Sequence, residues 1–242
     1  MRALLVLTSH TELGDTGRPT GYYVPEAAHP WSVFRDAGIA VDLASPQGGA
    51  PRPDGLDPDD AVQSAFLADP EAAAKLAATI RLADVEPSAY DAVLFVGGHG
   101  TMWDFPGDAE VGRIARAIWE ADGVVAAVCH GPAALTEVTL TDGSYLVAGR
   151  TVAAFTDAEE RAVGLVDVVP FLLETRLVER GARHVAAPDF AAHVETDGRL
   201  VTGQNPASAT ATAEAIVRLL ETHEASATSS GGDLHRSSGG ES

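Results

Sequence analysis

Short apolar runs alternate along the chain with segments whose apolar residues recur at helical spacing. Arg2–Leu7 reads as a buried strand, Glu26–Asp36 as a helix closed by Gly38, and Ile39–Ala44 as the next strand. Asp60–Leu82 is alanine-rich and reads as helical, with a break forced at Pro70. Asp91–Val96 is a continuous apolar strand ending in Gly97-Gly98-His99-Gly100. In Asp108–Glu120 the apolar positions 111, 114, 115, 118 and 119 predict an amphipathic helix stopped by Gly123. Val124–Val128 is again wholly apolar and runs into Cys129-His130-Gly131-Pro132, with a short helix expected from Ala133. Thr151–Phe155 reads as a strand, and Thr156 with Glu159 forms a capping-box pattern. Pro170–Arg180 reads as a helix, His193–Val201 as a hairpin turning at Asp197-Gly198, and Ala207–Glu221 as a final amphipathic helix.

Wholly apolar strands alternating with helices predict an α/β fold: a single flavodoxin-like domain whose mainly parallel sheet is sandwiched by helices. That domain is expected over residues 1–223. From Glu224 to Ser242 the composition turns to Ser, Gly and Thr, which cannot bury enough surface to offset ordering, so a flexible tail is expected there.

The chain has 242 residues, 45% of them hydrophobic, enough for a sizeable core. Its 16 Lys and Arg face 35 Asp and Glu, a net charge of −19 that disfavours nucleic acid and anionic membranes as partners. No apolar run is long enough to span a bilayer, and the N-terminal apolar stretch is too short for a signal peptide. A cytoplasmic protein is expected. A single cysteine excludes an internal disulfide and any cysteine-rich zinc site.

A lone cysteine is ordinarily a small buried hydrophobe. Cys129 differs in its place, where an apolar strand ends and a helix is expected. In open parallel sheets ligands bind outside the carboxyl ends of strands. A helix N-terminus there would stabilise a thiolate and lower its pKa. Ala127 and Gly131 are small enough for the tight turn of a nucleophile elbow. The glycine pair at the end of Asp91–Val96 can aim a backbone N–H at the same point, which could form an oxyanion hole with that of His130.

Ala127-Val128-Cys129-His130-Gly131-Pro132-Ala133 resembles the cysteine elbow of the ThiJ/PfpI superfamily, whose fold is that of class I glutamine amidotransferases. Val24–Pro30, Ala44–Gly49, Gly97–Thr101, Phe155–Glu160 and Gly203–Ala209 resemble it too. Glu26 followed by His29-Pro30, with the chain length, is similar to the glutathione-independent glyoxalase III branch, whose members also act as stress-holding chaperones. The resemblance implies a cofactor-independent, cysteine-dependent lyase of the glyoxalase III or lactate dehydratase type, with methylglyoxal as its small aldehyde substrate and no metal. It implies Cys129 as nucleophile, Glu26 as the carboxyl bonded to its sulfur, His130 as proton shuttle, Glu160 as its orienting acid, and the Gly98 and His130 N–H groups as the oxyanion hole. It also implies a homodimer, and removal of early glycation adducts as a related activity. Without it, Glu26 is a first-turn helix acid and Glu160 a surface residue, with adjacent Glu159 an equal candidate for the third position. His99 and Trp103 are pocket-lining candidates that serve packing equally well.

Three other readings share the fold or the thiol. A glutamine amidotransferase would need a His-x-Glu pair such as His193-Val194-Glu195, although Ala127 stands where its elbow carries glycine. An intracellular peptidase or an isocyanide hydratase would use the same elbow. A non-enzymatic chaperone or redox sensor would oxidise Cys129 instead of turning over.

Overall fold

The computed structural model describes Met1–Gly231, with side chains through Ala225. Its strands in chain order are β1 Arg2–Val6, β2 Tyr22–Tyr23, β3 Ala40–Ser45, β4 Pro53–Asp54, β5 Ile80–Arg81, β6 Ala92–Phe95, β7 Val124–Val128, β8 Thr151–Val152, β9 Arg183–His184, β10 Val194–Asp197 and β11 Leu200–Gly203. The helices are α1 Val24–Asp36, α2 Ala61–Ala68, α3 Pro70–Ala77, α4 Thr101–Asp104, α5 Ala109–Glu120, α6 Asp157–Ala162, α7 Leu173–Glu179 and α8 Ala209–Gly231. No helix among the described residues is long and apolar enough to cross a membrane.

Seven strands form the main sheet in the order β10-β11-β7-β6-β1-β3-β5. All neighbours are parallel except the edge pair β10 and β11. Without the two edges, the parallel strands follow the doubly wound order 2-1-3-4-5 of flavodoxin-like folds, as the alternating pattern predicts. Alternate residues of each central strand enter opposite cores. Leu4, Val6, Val93, Phe95, Val125 and Ala127 pack towards α5, and Leu5, Leu94, Val96, Ala126 and Val128 towards α1 and α8. Burial on both faces is why these strands read as unbroken apolar runs.

The structure corrects several boundaries. The helix expected over Asp60–Leu82 breaks at Pro70 into α2 and α3 but ends at Ala77. Beyond it Thr79 bonds with Gly49 in both directions and Ile80–Arg81 pairs with β3, so an edge strand captures the β-branched residues. The helix expected from Ala133 is a five-residue 3-10 turn, Gly131–Leu135. Of Thr151–Phe155 only Thr151–Val152 is a strand, paired with β9 outside the main sheet. Pro170–Arg180 shortens to α7. The last helix continues to Gly231, so the tail expected from Glu224 begins inside it, and its remainder, 232–242, lies outside the described residues.

Two glycines let the strand ends converge. A Cβ at Gly131 would be driven into the Phe95 carbonyl of β6, and one at Gly97 would meet Glu26, Val128 and Cys129. We expect Gly131→Ala to cost about 2–3 kcal/mol, the scale of overpacking a filled core, lowering Tm by roughly 5–10 °C. Gly38→Ala, with a positive φ of 70° but open space around it, should cost only about 1 kcal/mol. Thermal melts of both variants check this; equal losses would show that close approach at Gly131 does not constrain the fold.

Candidate active site

Cys129 directly follows β7 and has a φ of 61°, a left-handed conformation that few non-glycine residues adopt. Three bonds hold it there. Its N–H donates to the Gly203 carbonyl at 2.9 Å, its carbonyl accepts from Phe155 N at 2.9 Å, and the next carbonyl, His130, accepts from Thr101 Oγ1 at 3.0 Å. Thr101 Oγ1 also reaches the Gly98 carbonyl at 2.9 Å, tying the glycine-rich end of β6 to the elbow. The backbone amides of Gly98 and His130 favour the ionised form of the sulfur.

Glu26, in the first turn of α1, is fully buried beneath Gly97 and beside Cys129. Neither carboxyl oxygen meets a polar group at full hydrogen-bonding geometry. Burial therefore dominates and pushes its pKa up to about 8, against the easing effect of the Cys129 thiol and the Gly97 N–H. Glu26 is a neutral acid at pH 7. Burial also pushes the Cys129 thiol up, with Glu26 adding to the rise and the His130 and Gly98 amides opposing it. The thiolate-lowering helix terminus expected from sequence is absent, because a single 3-10 turn follows the elbow and the sulfur is enclosed.

On the other side of the sulfur the charges are arranged differently. His130 Nδ1 lies 3.3 Å from Cys129 Sγ, and His130 Nε2 lies 2.8 Å from Glu160 Oε2. A carboxylate only accepts, so Nε2 carries the hydrogen and the Nδ1 lone pair faces the thiol. His99 Nε2 meets the second Glu160 oxygen at 3.0 Å, and the two imidazole centroids are 4.0 Å apart. Burial works to raise the Glu160 pKa, but hydrogen bonds from His130 and His99 outweigh it and hold the carboxyl at about 2. Burial, then His99, push His130 down to about 4. Above that pH His130 is neutral, so hydrogen bonding rather than ion pairing orients its imidazole against Glu160.

The structure also separates the two adjacent glutamates. Glu160 faces the histidines, while Glu159 closes the capping box with Thr156 and accepts from Gln204, Asn205 and the Phe190 N–H. A cavity of about 230 Å³ lies over the sulfur. His99, Cys129, His130 and Gly98 line it, together with Tyr23, Phe155, Val163, Phe190 and Pro206, none of which the sequence singled out. Phe155 rests 4.3 Å from the His130 ring. Trp103 does not line this cavity; its ring stacks on His10 at 5.1 Å and packs against the core, because α4 turns it away from the elbow. His193 and Glu195 bond each other at 2.9 Å along edge strand β10 and do not line it either. Among the described residues one group places three metal-capable donors within 4.8 Å of one another, namely His99, His130 and Glu160. The bonds within that trio already satisfy the carboxylate.

The DJ-1/PfpI family model matches residues 21–219. The chain is 33% identical over 239 residues to glyoxalase 3 of Candida albicans, covering 91% of this chain and 99% of that protein. It is 34% identical to the glutathione-independent glyoxalase HSP31 of Saccharomyces cerevisiae, with 91% of this chain and 98% of that protein covered. The crystal structure of Candida albicans glyoxalase III superposes with a TM-score of 0.85 at 32% identity, covering 90% of this chain and 97% of that one. The rapid encystment protein of Francisella tularensis superposes with a TM-score of 0.88 at 39% identity, over 90% and 98% of the two chains. With two-thirds or more of its length matched by the family model and by these relatives, the chain belongs to the DJ-1/PfpI family.

Proposed function

We propose that this protein is a glutathione-independent glyoxalase that converts methylglyoxal to lactate with Cys129 as nucleophile. The observation that carries the reading is the file of groups Glu26, Cys129, His130 and Glu160, in which a neutral acid and a hydrogen-bonded imidazole flank one sulfur. The relatives' names supply the substrate class, and the small cavity fits it: about 230 Å³ is the space of seven or eight liquid water molecules.

The chemistry follows from the proton positions. Cys129 Sγ adds to the aldehyde carbon while its proton passes to His130 Nδ1, and the new oxyanion lies towards the Gly98 and His130 N–H groups. Protonation of that oxygen gives a hemithioacetal. Removal of the C1 proton and its return at C2, through an enediol, leaves a lactoyl thioester. Glu26 is placed to hold or deliver a proton in these steps because it is neutral at pH 7. Water then cleaves the thioester and restores the thiol, so methylglyoxal plus water gives lactate with no net oxidation. Glu160 orients His130. A reducing cytoplasm would keep the thiol ready for this work.

The decisive experiment is chiral analysis of lactate formed from methylglyoxal by the purified protein without glutathione. Cys129→Ser should abolish formation, and His130→Ala should lower turnover on the order of 100-fold or more. Glu160→Gln should cost less, since it removes orientation and not the base. His193→Ala and Glu195→Gln should change turnover less than about 2-fold. Loss at His193 with retention at His130, together with ammonia release from glutamine, would replace this reading with an amidotransferase.

A pH-dependent melt tests the neutral Glu26. Unfolded, this carboxyl loses its proton near 4.5, but folded it keeps it to about 8, so it lowers stability progressively as pH rises between those values. Glu26→Gln cannot titrate. From pH 5 to 7.5 the Tm of Glu26→Gln relative to wild type should rise by roughly 5–10 °C, corresponding to about 3 kcal/mol. A difference that does not change with pH would show that Glu26 is ionised in the fold, even though the variant loses activity.

A further inference from the structure

Among the described residues, three that are not glycine have positive φ: Asp122, Cys129 and Phe190. At Cys129 the conformation makes the elbow. At Phe190, with φ of 60°, it serves a different end. Glycine or asparagine would take this conformation at little cost, whereas a bulky residue gives up roughly 1–2 kcal/mol. The surrounding bonds over-determine the strained backbone. Phe190 N–H donates to Glu159 Oε1 at 2.7 Å, a bond made by a fully buried carboxyl. On either side, Ala187 N–H donates to Gln204 Oε1 at 2.9 Å and the Ala191 carbonyl accepts from Asn205 Nδ2 at 2.8 Å. Yet the ring so placed is 48% exposed. It lies at the mouth of the Cys129 cavity, 6.3 Å from Phe155, whose own ring rests on His130.

We propose that Phe190 is a specificity-determining residue: its ring, held over the cavity by Glu159, restricts the group carried beside the aldehyde to hydrogen or a small alkyl. The proposal deepens the glyoxalase reading and rests on it for the identity of the substrate. The geometry of addition gives it direction. With the aldehyde carbon on Sγ and its oxygen towards the Gly98 and His130 amides, the rest of a dicarbonyl R–CO–CHO extends away from the elbow. The apolar walls left to receive R are Phe155, Val163, Phe190 and Pro206. Phe155 is fixed by burial and by its contact with His130, and Pro206 begins the turn that leads into α8. Phe190 and Val163 are the exposed members, at 48% and 42%, so the rim is theirs. Of the two, Phe190 has its backbone bonded to the buried Glu159 carboxyl, whereas the Val163 N–H bonds the Glu159 main-chain carbonyl at the end of α6.

Two readouts test this, one with turnover and one without. The first compares kcat/KM for phenylglyoxal and methylglyoxal in the wild type, Phe190→Gly and Phe190→Ala. Glycine accepts the positive φ and keeps the loop intact, and alanine removes the ring while retaining a Cβ. The ratio of phenylglyoxal to methylglyoxal should rise at least about 10-fold in both, the usual scale for opening an apolar pocket. The second compares alkylation of Cys129, the chain's single cysteine, by N-phenylmaleimide and by iodoacetamide, followed by mass spectrometry. That ratio should rise in the same variants. Ratios that stay within about 2-fold of wild type, or that fall, overturn the proposal. A rise in Phe190→Gly alone also overturns it, because loop mobility and not the ring would then control access. If the alkylation ratio rises while no variant consumes either dicarbonyl, the restriction at Phe190 stands and the glyoxalase reading is the one that fails.

Discussion

Gly97 has no side chain, and the space a Cβ would fill is occupied by the Glu26 carboxyl and the edge of Cys129. This crowding at the carboxyl ends of β6 and β7 governs the site. It brings a helix-borne acid against the sulfur and buries that carboxyl completely. An unhydrated carboxyl without strong donors cannot stay ionised at neutral pH, so Glu26 keeps its proton. The same enclosure raises the thiol, which makes the sulfur depend on neighbours for deprotonation. Gly131, pressed on the Phe95 carbonyl, closes the other side of the turn and fixes where those neighbours sit.

The two carboxyl groups of the site lie in opposite electrostatic regimes. Glu26 is held near 8 by burial without partners, and Glu160 near 2 by two imidazole donors. Such a separation distinguishes them chemically: the first group can carry a proton at pH 7, and the second can only accept hydrogen bonds. His130 between them is neutral, with its hydrogen committed to Glu160 and its lone pair to the thiol. The arrangement therefore leaves the His130 lone pair open to the thiol's proton, while the hydrogen on Nε2 stays engaged with the Glu160 carboxylate.

Much of this was legible along the chain. The strands buried on both faces declared themselves as unbroken apolar runs, and the only cysteine fell where one of them stopped. Thr156 and Glu159 announced their capping box. The less legible features depend on partners distant in sequence. Thr79-Ile80 reads as helix until β3 is known to offer an open edge. The helix expected after Cys129 contracts to a 3-10 turn because Gly131 is pinned against β6. The direction of the thiol shift reversed because it is set by enclosure, which local charge patterns do not reveal. Trp103 follows the glycine-rich strand end closely in sequence, but α4 rotates it towards His10. Phe190 carries no sequence signal, since a positive φ at phenylalanine is imposed by Glu159 from 31 residues away.

The adjacent glutamates of α6 show how one local motif serves both the histidine pair and the cavity wall. The capping box fixes Glu159 at the third helical position, where Oε2 returns to the Thr156 N–H at 2.9 Å. Its other oxygen is then directed at the loop, where it gathers Phe190, Gln204 and Asn205. The next residue of an α-helix lies about 100° further round the axis. That rotation carries Glu160 off the loop and onto the histidines, where both its oxygens are used. Neither glutamate could exchange tasks with the other without unwinding the first turn. The cap that starts a six-residue helix thus fixes, within one turn, both the orientation of the imidazole beside the sulfur and the wall that faces it.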